Sequence, residues 1–469
     1  MGWRLHPATN RPQPAAGLTA AAREVRLGSA PGIASDLKEE SSIATSSTQV
    51  AAGFRTPAVL VLGLFGVTLM GQFTLDRLDI EQFGELDLRL VAFPVLVAAV
   101  LLWRFQPDHR DYRHVWPPIS LWAIAMVAYL ALTAFWAPHE ARISESLTDL
   151  AYLGLLIVVA TVVSAPDPAR VRRLTLAAMY IAAVVYALAG LLIGQTDAQG
   201  RTTAFAGGPN VYTRVVLLGV VAAIALTALY GRRLFLLAIP LLASAALLPA
   251  SRGAIVAALA TMVVFGALSW GRWSLRAIGL AVFVSAGTLV VTWSLLPSSA
   301  VDVLRLRFVD QVFQRNELSG RPELISQALT IFVDDPLIGA GLDSYFVRFG
   351  FGVGLEYPHN LVLDLAATGG VLALAIFGMF VVALIRDCPP VRQITADQLA
   401  MLLSACYLGA ASMFSGEFYD SRFFWVFAVL AVNYPAVRCR GSSEVSRPHL
   451  ARRRPLPSHA GTVRMGERS

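Results

Sequence analysis

Lysine and cysteine are scarce in this chain, and its charge content is low. Lys38 is the only lysine among 469 residues. Charged residues make up 15% of the chain, whereas a soluble protein carries roughly 25%. The three cysteines, Cys388, Cys406 and Cys439, fall outside every outer loop of the topology given below, so neither a disulfide nor a cysteine metal site is expected. The low charge excludes an ordinary soluble domain, and nearly every cation available is arginine or histidine.

Apolar runs take the place of charge: 56% of the residues are hydrophobic, and the mean hydropathy is +0.61. About twelve runs approach the ~20 residues that cross a bilayer as a helix. They lie at 56–73, 86–104, 116–136, 146–164, 173–194, 210–230, 233–249, 253–270, 275–296, 361–385, 395–415 and 422–438. Backbone groups in lipid must be satisfied within the segment, which requires helices, and the alternation typical of a barrel strand is absent. The sequence predicts an all-α, polytopic membrane protein with about 12 transmembrane helices.

Arginines mark every second loop. They follow the second, fourth, sixth, eighth and tenth runs, at Arg104, Arg110, Arg113, Arg170, Arg172, Arg173, Arg232, Arg233, Arg272, Arg276, Arg386 and Arg392. The positive-inside rule places these loops, and both termini, in the cytoplasm. The acidic first outer loop, from Asp76 to Asp87, agrees with this orientation. The net charge of +7 then follows from topology and predicts no nucleic-acid partner.

Three parts of the chain differ in composition. Residues 1–55 are rich in Ala, Ser, Thr and Pro and lack the apolar core of a signal peptide, which predicts a disordered cytoplasmic tail. Residues 56–438 form the predicted transmembrane domain, including a large outer loop at 297–360. Residues 439–469 form an Arg-rich tail, also predicted to be disordered and cytoplasmic.

The large outer loop is predicted to contain short helices. Leu304–Gln314 has the pattern of an amphipathic helix on the membrane interface. A second helix is predicted to begin at Arg321, because Ser319-Gly320 can cap it and Pro322 suits its first turn. Its predicted apolar face comprises Leu324, Ile325, Ala328, Leu329 and Phe332.

Glycines and a proline shape the end of this loop. Gly339 and Gly341 predict a tight backbone, and the cluster Gly350–Gly354 suggests a mobile flap. Pro358 then fixes the chain just before His359-Asn360, where the tenth run begins. The loop therefore combines a cation at one helix start with an imidazole at another.

Two other outer segments carry arginine. The stretch from Arg201 to Asn210 contains a Gly-Gly-Pro break, after which Asn210 is predicted to cap the sixth helix. Arg214 lies one turn inside that helix, where a charge is costly. Ser251-Arg252-Gly253 places another arginine at the outer lip of two runs.

These residue types suit a lipid-linked diphosphate. Arginine binds phosphate oxygens through a planar fork and stays charged in a low-dielectric site. A histidine such as His359 can act as a general base, because its pKa lies near working pH. Several arginines and one histidine at an outer membrane lip together indicate glycosyl transfer from a lipid diphosphate sugar.

Structural explanations for the same residues stay open. Arg252 can snorkel to the interface, Arg214 can belong to a structural ion pair, and Asn210 and Asn360 can be helix caps rather than ligands. Arg348 fits a solvated loop charge. Asp364, a turn beyond His359, can either orient it or pair with an arginine.

The combination resembles the O-antigen ligase and polymerase family of bacterial inner-membrane proteins over roughly residues 200–385. The matching pieces are Phe205…Pro209-Asn210, Ser251-Arg252-Gly253-Ala254, Ser319-Gly320-Arg321, the run Asp335-Pro336-Leu337-Ile338-Gly339-Ala340-Gly341-Leu342, and Pro358-His359-Asn360 followed by Gly369-Gly370. One departure is Ile325, where the family often has an aromatic residue.

The resemblance implies a GT-C-like, metal-independent glycosyltransferase of the bacterial inner membrane, without a cofactor. The donor is expected to be an undecaprenyl-diphosphate-linked glycan, and the active site is expected to face the periplasm. Catalytic roles carry over to Arg252, Arg321 and His359, with the first two on the diphosphate and the histidine as base. Arg214 and Arg201 are lesser candidates for substrate binding, alongside Asn210 and Asn360.

The acceptor separates two members of this family. An O-antigen ligase transfers the finished glycan to lipid A-core, whereas a polymerase adds it to another lipid-linked repeat. The single large outer loop favours a ligase, and a polysaccharide polymerase is the alternative. A transporter or flippase of the lipid-linked glycan is the rival from another class, although no internal repeat of the kind typical of carriers is evident.

Overall fold

A computed structural model describes residues 56–71, 87–106, 112–114, 116–196, 201–205, 208–268, 287–350, 357–390, 393–432 and 436–438, except 289, 295, 297, 308 and 310–320. All of them belong to one compact unit, Phe54–Ser469. Both predicted tails lie outside the described residues.

The described part of the chain is mostly helical and contains thirteen α-helices. They are α1 (Ala58–Met70), α2 (Arg89–Arg104), α3 (Pro118–Leu132), α4 (Ile143–Ser164), α5 (Pro168–Leu192), α6 (Pro209–Tyr230), α7 (Ile239–Leu247), α8 (Arg252–Leu268), α9 (Ser298–Arg305), α10 (Arg321–Asp334), α11 (Leu361–Asp387), α12 (Ala396–Ser412) and α13 (Arg422–Ala431). Short 3-10 helices extend α3 over Thr133–Trp136 and precede α7 over Arg233–Ala238. Two antiparallel pairs of short strands complete it, β1 (Tyr112–His114) with β4 (Ala436–Arg438) and β2 (Gln195–Thr196) with β3 (Thr202–Thr203).

Eleven of the twelve predicted runs contain one of these helices, and most of the run 275–296 lies outside the described residues. Five helices are long and apolar enough to cross a membrane, namely α4, α5, α6, α11 and α3 with its extension to Trp136. Other apolar helices, such as α1 and α13, have 10–17 residues. The all-α membrane class is confirmed, whereas the count of about twelve spans is not.

Helix α13 runs through the centre of the packing. All ten of its residues are buried, and it packs against α12 and α4. Its Trp425 ring lies 4.7 Å from the ring of Phe380 on α11. After Arg422 its residues are all apolar, and a helix that is apolar all round must be covered on every side.

The loops meet in two groups, one at each end of the helices. At one end, contacts join the connections around Arg142 and Asp343, Asn210 and Ser251, and Asn360 and Met413. At the other end, contacts join Thr56 with Val163, Arg172 with Asp397, and β1 with β4. The first group, called the His359 end below, contains only predicted outer loops, and the second contains only predicted cytoplasmic segments. This grouping agrees with the predicted alternation of the loops.

One of the two predicted helices of the large loop is found, with a changed buried face. Helix α10 begins at Arg321 as predicted, but its buried face comprises Leu324, Ala328 and Ile331, whereas Ile325 and Leu329 are exposed. The apolar stripe is broad, and packing selects the edge of it that faces α11. Most of the helix expected at Leu304–Gln314 lies outside the described residues, and α9 covers Ser298–Arg305 just before it.

Helix α10 lies along the first turns of α11. Its buried face shares a cluster with Ala367 and Leu363 of α11 and with Ala340 of the following loop. The polypeptide that leaves α10 then inserts into a break in α11 at Gly370, whose φ and ψ are 63° and −157°. Backbone hydrogen bonds run from Ala340 N to Ala367 O (2.9 Å) and from Val371 N to Pro336 O (2.8 Å).

Glycine is required on both sides of this interlock. A Cβ on Gly370 would lie 2.6 Å from the backbone N of Gly339, and one on Gly339 would lie 2.4 Å from the backbone N of Gly369. Both glycines have positive φ. Tyr129 of α3 donates to the Gly369 carbonyl at 2.9 Å, and Trp136 Nε1 donates to the Gly339 carbonyl at 3.2 Å. The predicted tight backbone at Gly339 is thus a lock between loop and helix, while most of the Gly350–Gly354 flap lies outside the described residues.

We expect Gly370→Ala to destabilise the fold, since the new Cβ strains a left-handed backbone, at about 1–3 kcal/mol, and also clashes with Gly339. The matched control is Gly378→Ala on the same helix, where nothing lies within 4 Å of the added Cβ. Thermal unfolding in detergent micelles should show a lower midpoint for Gly370→Ala only. Equal midpoints for both variants would contradict the interlock.

Candidate functional site

The segment Ala411–Asp420, which joins α12 to α13, collects side chains from separate parts of the chain. Asn210 Nδ2 donates to Ser415 Oγ at 2.9 Å. Asn360 Nδ2 donates to the Met413 carbonyl at 3.0 Å, and Arg214 Nη2 donates to the Ala411 carbonyl at 3.3 Å. Three of the predicted site residues therefore converge on a segment to which the sequence assigns no role.

Arg321 lies against the same segment. It opens α10, and its Cζ is 5.4 Å from the centre of the Phe414 ring, within cation–π range. A Cβ on Gly253 would lie 2.5 Å from Phe414 Cβ and 3.6 Å from Arg321 Nη2. The absence of a side chain at Gly253 therefore lets Phe414 and Arg321 approach the start of α8, where Arg252 stands.

Arg252 and Arg321 are electrostatically coupled. Burial lowers the pKa of Arg321 below its ordinary value, and the positive charge of Arg252 lowers it further. Two guanidinium groups that disfavour each other in a partly buried setting are stabilised by an anion between them. The structure thus brings two of the three predicted catalytic residues close enough to interact electrostatically.

Asn210 does not cap α6. The helix begins at Pro209 after Gly208, without a side-chain cap, and Asn210 lies inside its first turn. Its Oδ1 accepts a hydrogen bond from Ser251 Oγ at 2.8 Å, in addition to the Nδ2 bond described above. Tertiary partners on two other elements engage the amide that the sequence suggests as a cap.

Arg214 is 7% exposed and lines two small cavities, each of about 10 Å³. One is shared with Ser251, Arg321 and Phe414, and the other with Asp420. Arg201 is half-buried just before β3 and is not among the described residues that line either cavity. The structure therefore groups Arg214 with the arginine pair and leaves Arg201 apart from it.

His359 stands at the start of α11 in a left-handed conformation, with φ of 54°. The next residue, Asn360, caps the helix, because its side chain accepts from Leu363 N at 3.0 Å. The imidazole packs edge-on against Tyr357, with ring centres 4.6 Å apart. The cap and the neighbouring ring thus hold His359 at the helix entrance.

Tyr357 links this histidine to the 411–420 segment. Its hydroxyl donates to Asp420 Oδ2 at 3.0 Å. Burial raises the pKa of Tyr357 above its usual range, and the negative charges of Asp420 and Glu417 raise it further. The phenol therefore stays protonated and keeps donating to the carboxylate.

A larger cavity, of about 430 Å³, is lined in part by Tyr357. Its walls come from the start of α2, the start of α4, the loop after α10, the first turns of α11 and the 411–420 segment. Asp364 of α11 lines it and is 6% exposed. The backbone N–H of Phe418 donates to this carboxylate, and among the described residues neither an ion pair from Asp364 to an arginine nor a hydrogen bond from it to His359 is found.

The described residues contain no group of three or more His, Cys, Asp and Glu side chains that could hold a metal ion. Arg348 forms exposed ion pairs with Asp334 (2.7 Å) and Asp335 (3.2 Å), as a solvated loop charge would. Four residues of the site have no role suggested by the sequence, namely Phe414, Ser415, Tyr357 and Asp420. The available signal was the aromatic and acidic run Phe418-Tyr419-Asp420 in a short outer loop.

Residues 237–378 match the family model described as O-antigen ligase. The matched region contains Arg252, Arg321, His359 and the interlock, and it ends before the 411–420 segment. A comparison with curated proteins returns no significant match. This match confirms the resemblance to the O-antigen ligase and polymerase family over the matched residues. The matched family is one of membrane glycosyltransferases of ligase or polymerase type, whose partners are lipid-linked glycan and lipid A-core.

We expect Asn360→Ala to lower stability more than Asn360→Ser. Serine keeps a cap for Leu363 N, worth about 0.5–2 kcal/mol, and loses only the hydrogen bond to the Met413 carbonyl. Thermal unfolding midpoints of the purified variants should fall in the order wild type, Ser, Ala. A serine variant no more stable than alanine would rule out the capping role.

Proposed function

We propose that the protein is an O-antigen ligase. It transfers a glycan from an undecaprenyl-diphosphate-linked donor to a hydroxyl of lipid A-core, without a metal ion or cofactor. The family match at residues 237–378 supports the reaction class. The Arg-rich loops lie opposite the His359 end, so the positive-inside rule puts both termini in the cytoplasm and the site at the periplasmic face of the inner membrane.

The observation that carries the proposal is the coupled pair Arg252 and Arg321 beside Phe414. A diphosphate supplies anionic oxygens that two partly buried guanidinium groups can bind. The cavity that Arg321 lines with Arg214 and Phe414 is about 10 Å³ and admits little more than a water molecule. The diphosphate therefore lies across its mouth, and Arg214 in the cavity wall adds a third positive charge beneath it.

The reaction is a substitution at the anomeric carbon of the donor. The acceptor hydroxyl oxygen forms the new glycosidic bond as the bond between that carbon and the diphosphate oxygen breaks. His359 takes the hydroxyl proton as general base. Arg252 and Arg321 stabilise the charge that develops on the leaving diphosphate, which is the usual role of fixed cations at a phosphate leaving group.

The acceptor assignment rests on loop architecture, because one large outer loop favours a ligase over a polymerase. Purified protein in liposomes should be given the lipid-linked glycan with either lipid A-core or a second lipid-linked repeat as acceptor. Transfer to lipid A-core supports the ligase, and transfer to the second repeat assigns a polymerase instead. Movement of the donor across the bilayer without transfer to either acceptor would identify a carrier.

Replacing His359 should abolish transfer while donor binding persists, because a positioned general base contributes about 10²–10⁴-fold to rate. His359→Asn is the better matched variant, since asparagine tolerates positive φ, whereas His359→Ala adds backbone strain. Glycan transfer in liposomes is the readout, with donor binding measured in parallel. Wild-type rates in His359→Asn would sink the assignment of His359 as base.

Arg252→Gln and Arg321→Gln should each weaken donor binding at least tenfold, because each removes charge-assisted hydrogen bonds to the diphosphate. Arg348→Gln is the matched control, an outer-loop arginine whose partners are exposed aspartates. Titration of nanodisc-embedded protein with the lipid-linked donor gives the three affinities. Unchanged affinity in both site variants would remove the arginine pair from the donor site.

A further inference from the structure

The 430 Å³ cavity beside Tyr357 is large enough for a ligand of its own, since small-molecule sites span about 300–1,000 Å³. It is separate from the arginine cavity, because Arg214, Arg252 and Arg321 are not among the described residues that line it. Six carboxylates do line it: Asp87, Glu145, Asp149, Asp343, Asp364 and Glu417. A diphosphate is repelled by such a wall, so this cavity suits a ligand other than the diphosphate.

The lining offers donors as well as acceptors. Arg89 pairs with Asp87 at 2.6 Å and also with Asp149, and Arg142 pairs with Asp343 at 3.0 Å. Serine and threonine hydroxyls and the rings of Tyr345 and Tyr357 complete the wall. A small cation would meet two guanidinium groups here, whereas a sugar hydroxyl both donates and accepts, and sugar rings pack on aromatic faces. This combination of hydrogen-bond donors, acceptors and aromatic rings therefore fits a polyol such as a sugar.

Asp364 in this cavity can accept a further hydrogen bond. Asp364 is 6% exposed, and its Oδ2 has no hydrogen-bond partner among the described residues. A buried carboxylate oxygen without a donor is costly. A hydroxyl of a bound molecule would supply that donor.

Tyr357 connects the cavity to the proposed base. Tyr357 lines it and packs edge-on against His359 at 4.6 Å. Asp364 lies on the first turn of the helix that His359 precedes. A sugar held by Asp364 would therefore share a cavity with the tyrosine that packs on the imidazole.

We infer that this cavity is the acceptor subsite and binds the terminal sugar of the acceptor glycan, with a ring hydroxyl donating to Asp364 Oδ2. The inference rests on the proposed transferase function and adds the acceptor-binding residues. Asp364 is a binding residue, and the carboxylates around Arg89 and Arg142 shape the wall. The diphosphate and the acceptor sugar then occupy separate cavities, which share none of the described lining residues.

The test measures acceptor binding without donor, so that it does not depend on transfer. Full-length protein in nanodiscs is titrated with delipidated core oligosaccharide, and binding is followed by saturation-transfer NMR. Ser144→Trp fills the cavity from an exposed position in the first turn of α4. We expect Ser144→Trp and Asp364→Asn each to weaken oligosaccharide binding at least tenfold.

Ser326→Trp on α10 is the matched control. Ser326 is also exposed, and its carbonyl accepts from Thr330 Oγ1 at 3.0 Å, as the Ser144 carbonyl accepts from Thr148 Oγ1 at 2.7 Å. This control should bind the oligosaccharide as the wild type does. If Asp364→Asn fails to fold, Ser144→Trp decides the question.

Three results would overturn the inference: no oligosaccharide binding by the wild type, unchanged oligosaccharide binding in Ser144→Trp, or a cavity that binds only Mg²⁺ or spermidine. The proposed function fails separately, when the wild type binds the oligosaccharide but transfers no glycan. In an active enzyme, Ser144→Trp should raise the acceptor KM and leave donor affinity unchanged, whereas Arg321→Gln should do the reverse.

Discussion

The backbone interlock between α11 and the chain leaving α10 is the constraint on which the rest of the site depends. A helix broken within a membrane protein leaves N–H and C=O groups that other protein groups must satisfy. Residues 336–341 do so for α11, through bonds such as Ala340 N to Ala367 O. Because α10 packs along the first turns of the same helix, Arg321 at the start of α10 and His359 at the start of α11 are held at one end of the molecule.

Local signals in the sequence predicted local structure well. Pro322 and Asn360 marked the starts of α10 and α11, and the glycine pairs marked close backbone approach. The tertiary contacts were not predictable from the sequence. Asn210 has the character of a cap but forms hydrogen bonds with Ser251 and Ser415. The apolar stripe of α10 is buried along one edge only. The 411–420 segment was missed because it acts largely through backbone carbonyls, such as those of Ala411 and Met413. Every residue has such a carbonyl, so the residue types do not reveal this role.

Charge divides the His359 end into two regions. Arg321 lies against Phe414 and shares a small cavity with Arg214, whereas six carboxylates line the cavity beside Tyr357. Such an arrangement sorts ligands by charge before any shape recognition, because like charge next to a low-dielectric wall is strongly disfavoured. The family match covers the interlock, two arginines and His359, while much of the carboxylate wall comes from α2 and α4, outside the matched region.

The position of the 411–420 segment near the end of the chain sets the order in which the site can be built. Arg214 enters the bilayer with α6, yet its Ala411 carbonyl partner is synthesised almost two hundred residues later. Arg422 reaches back across 354 positions to the Thr68 carbonyl. Chains fold progressively from the N-terminus during synthesis, and an unaccompanied arginine in lipid is costly. Arg214 must therefore be kept from lipid during membrane insertion until α12 and α13 are synthesised, and these later helices complete the site.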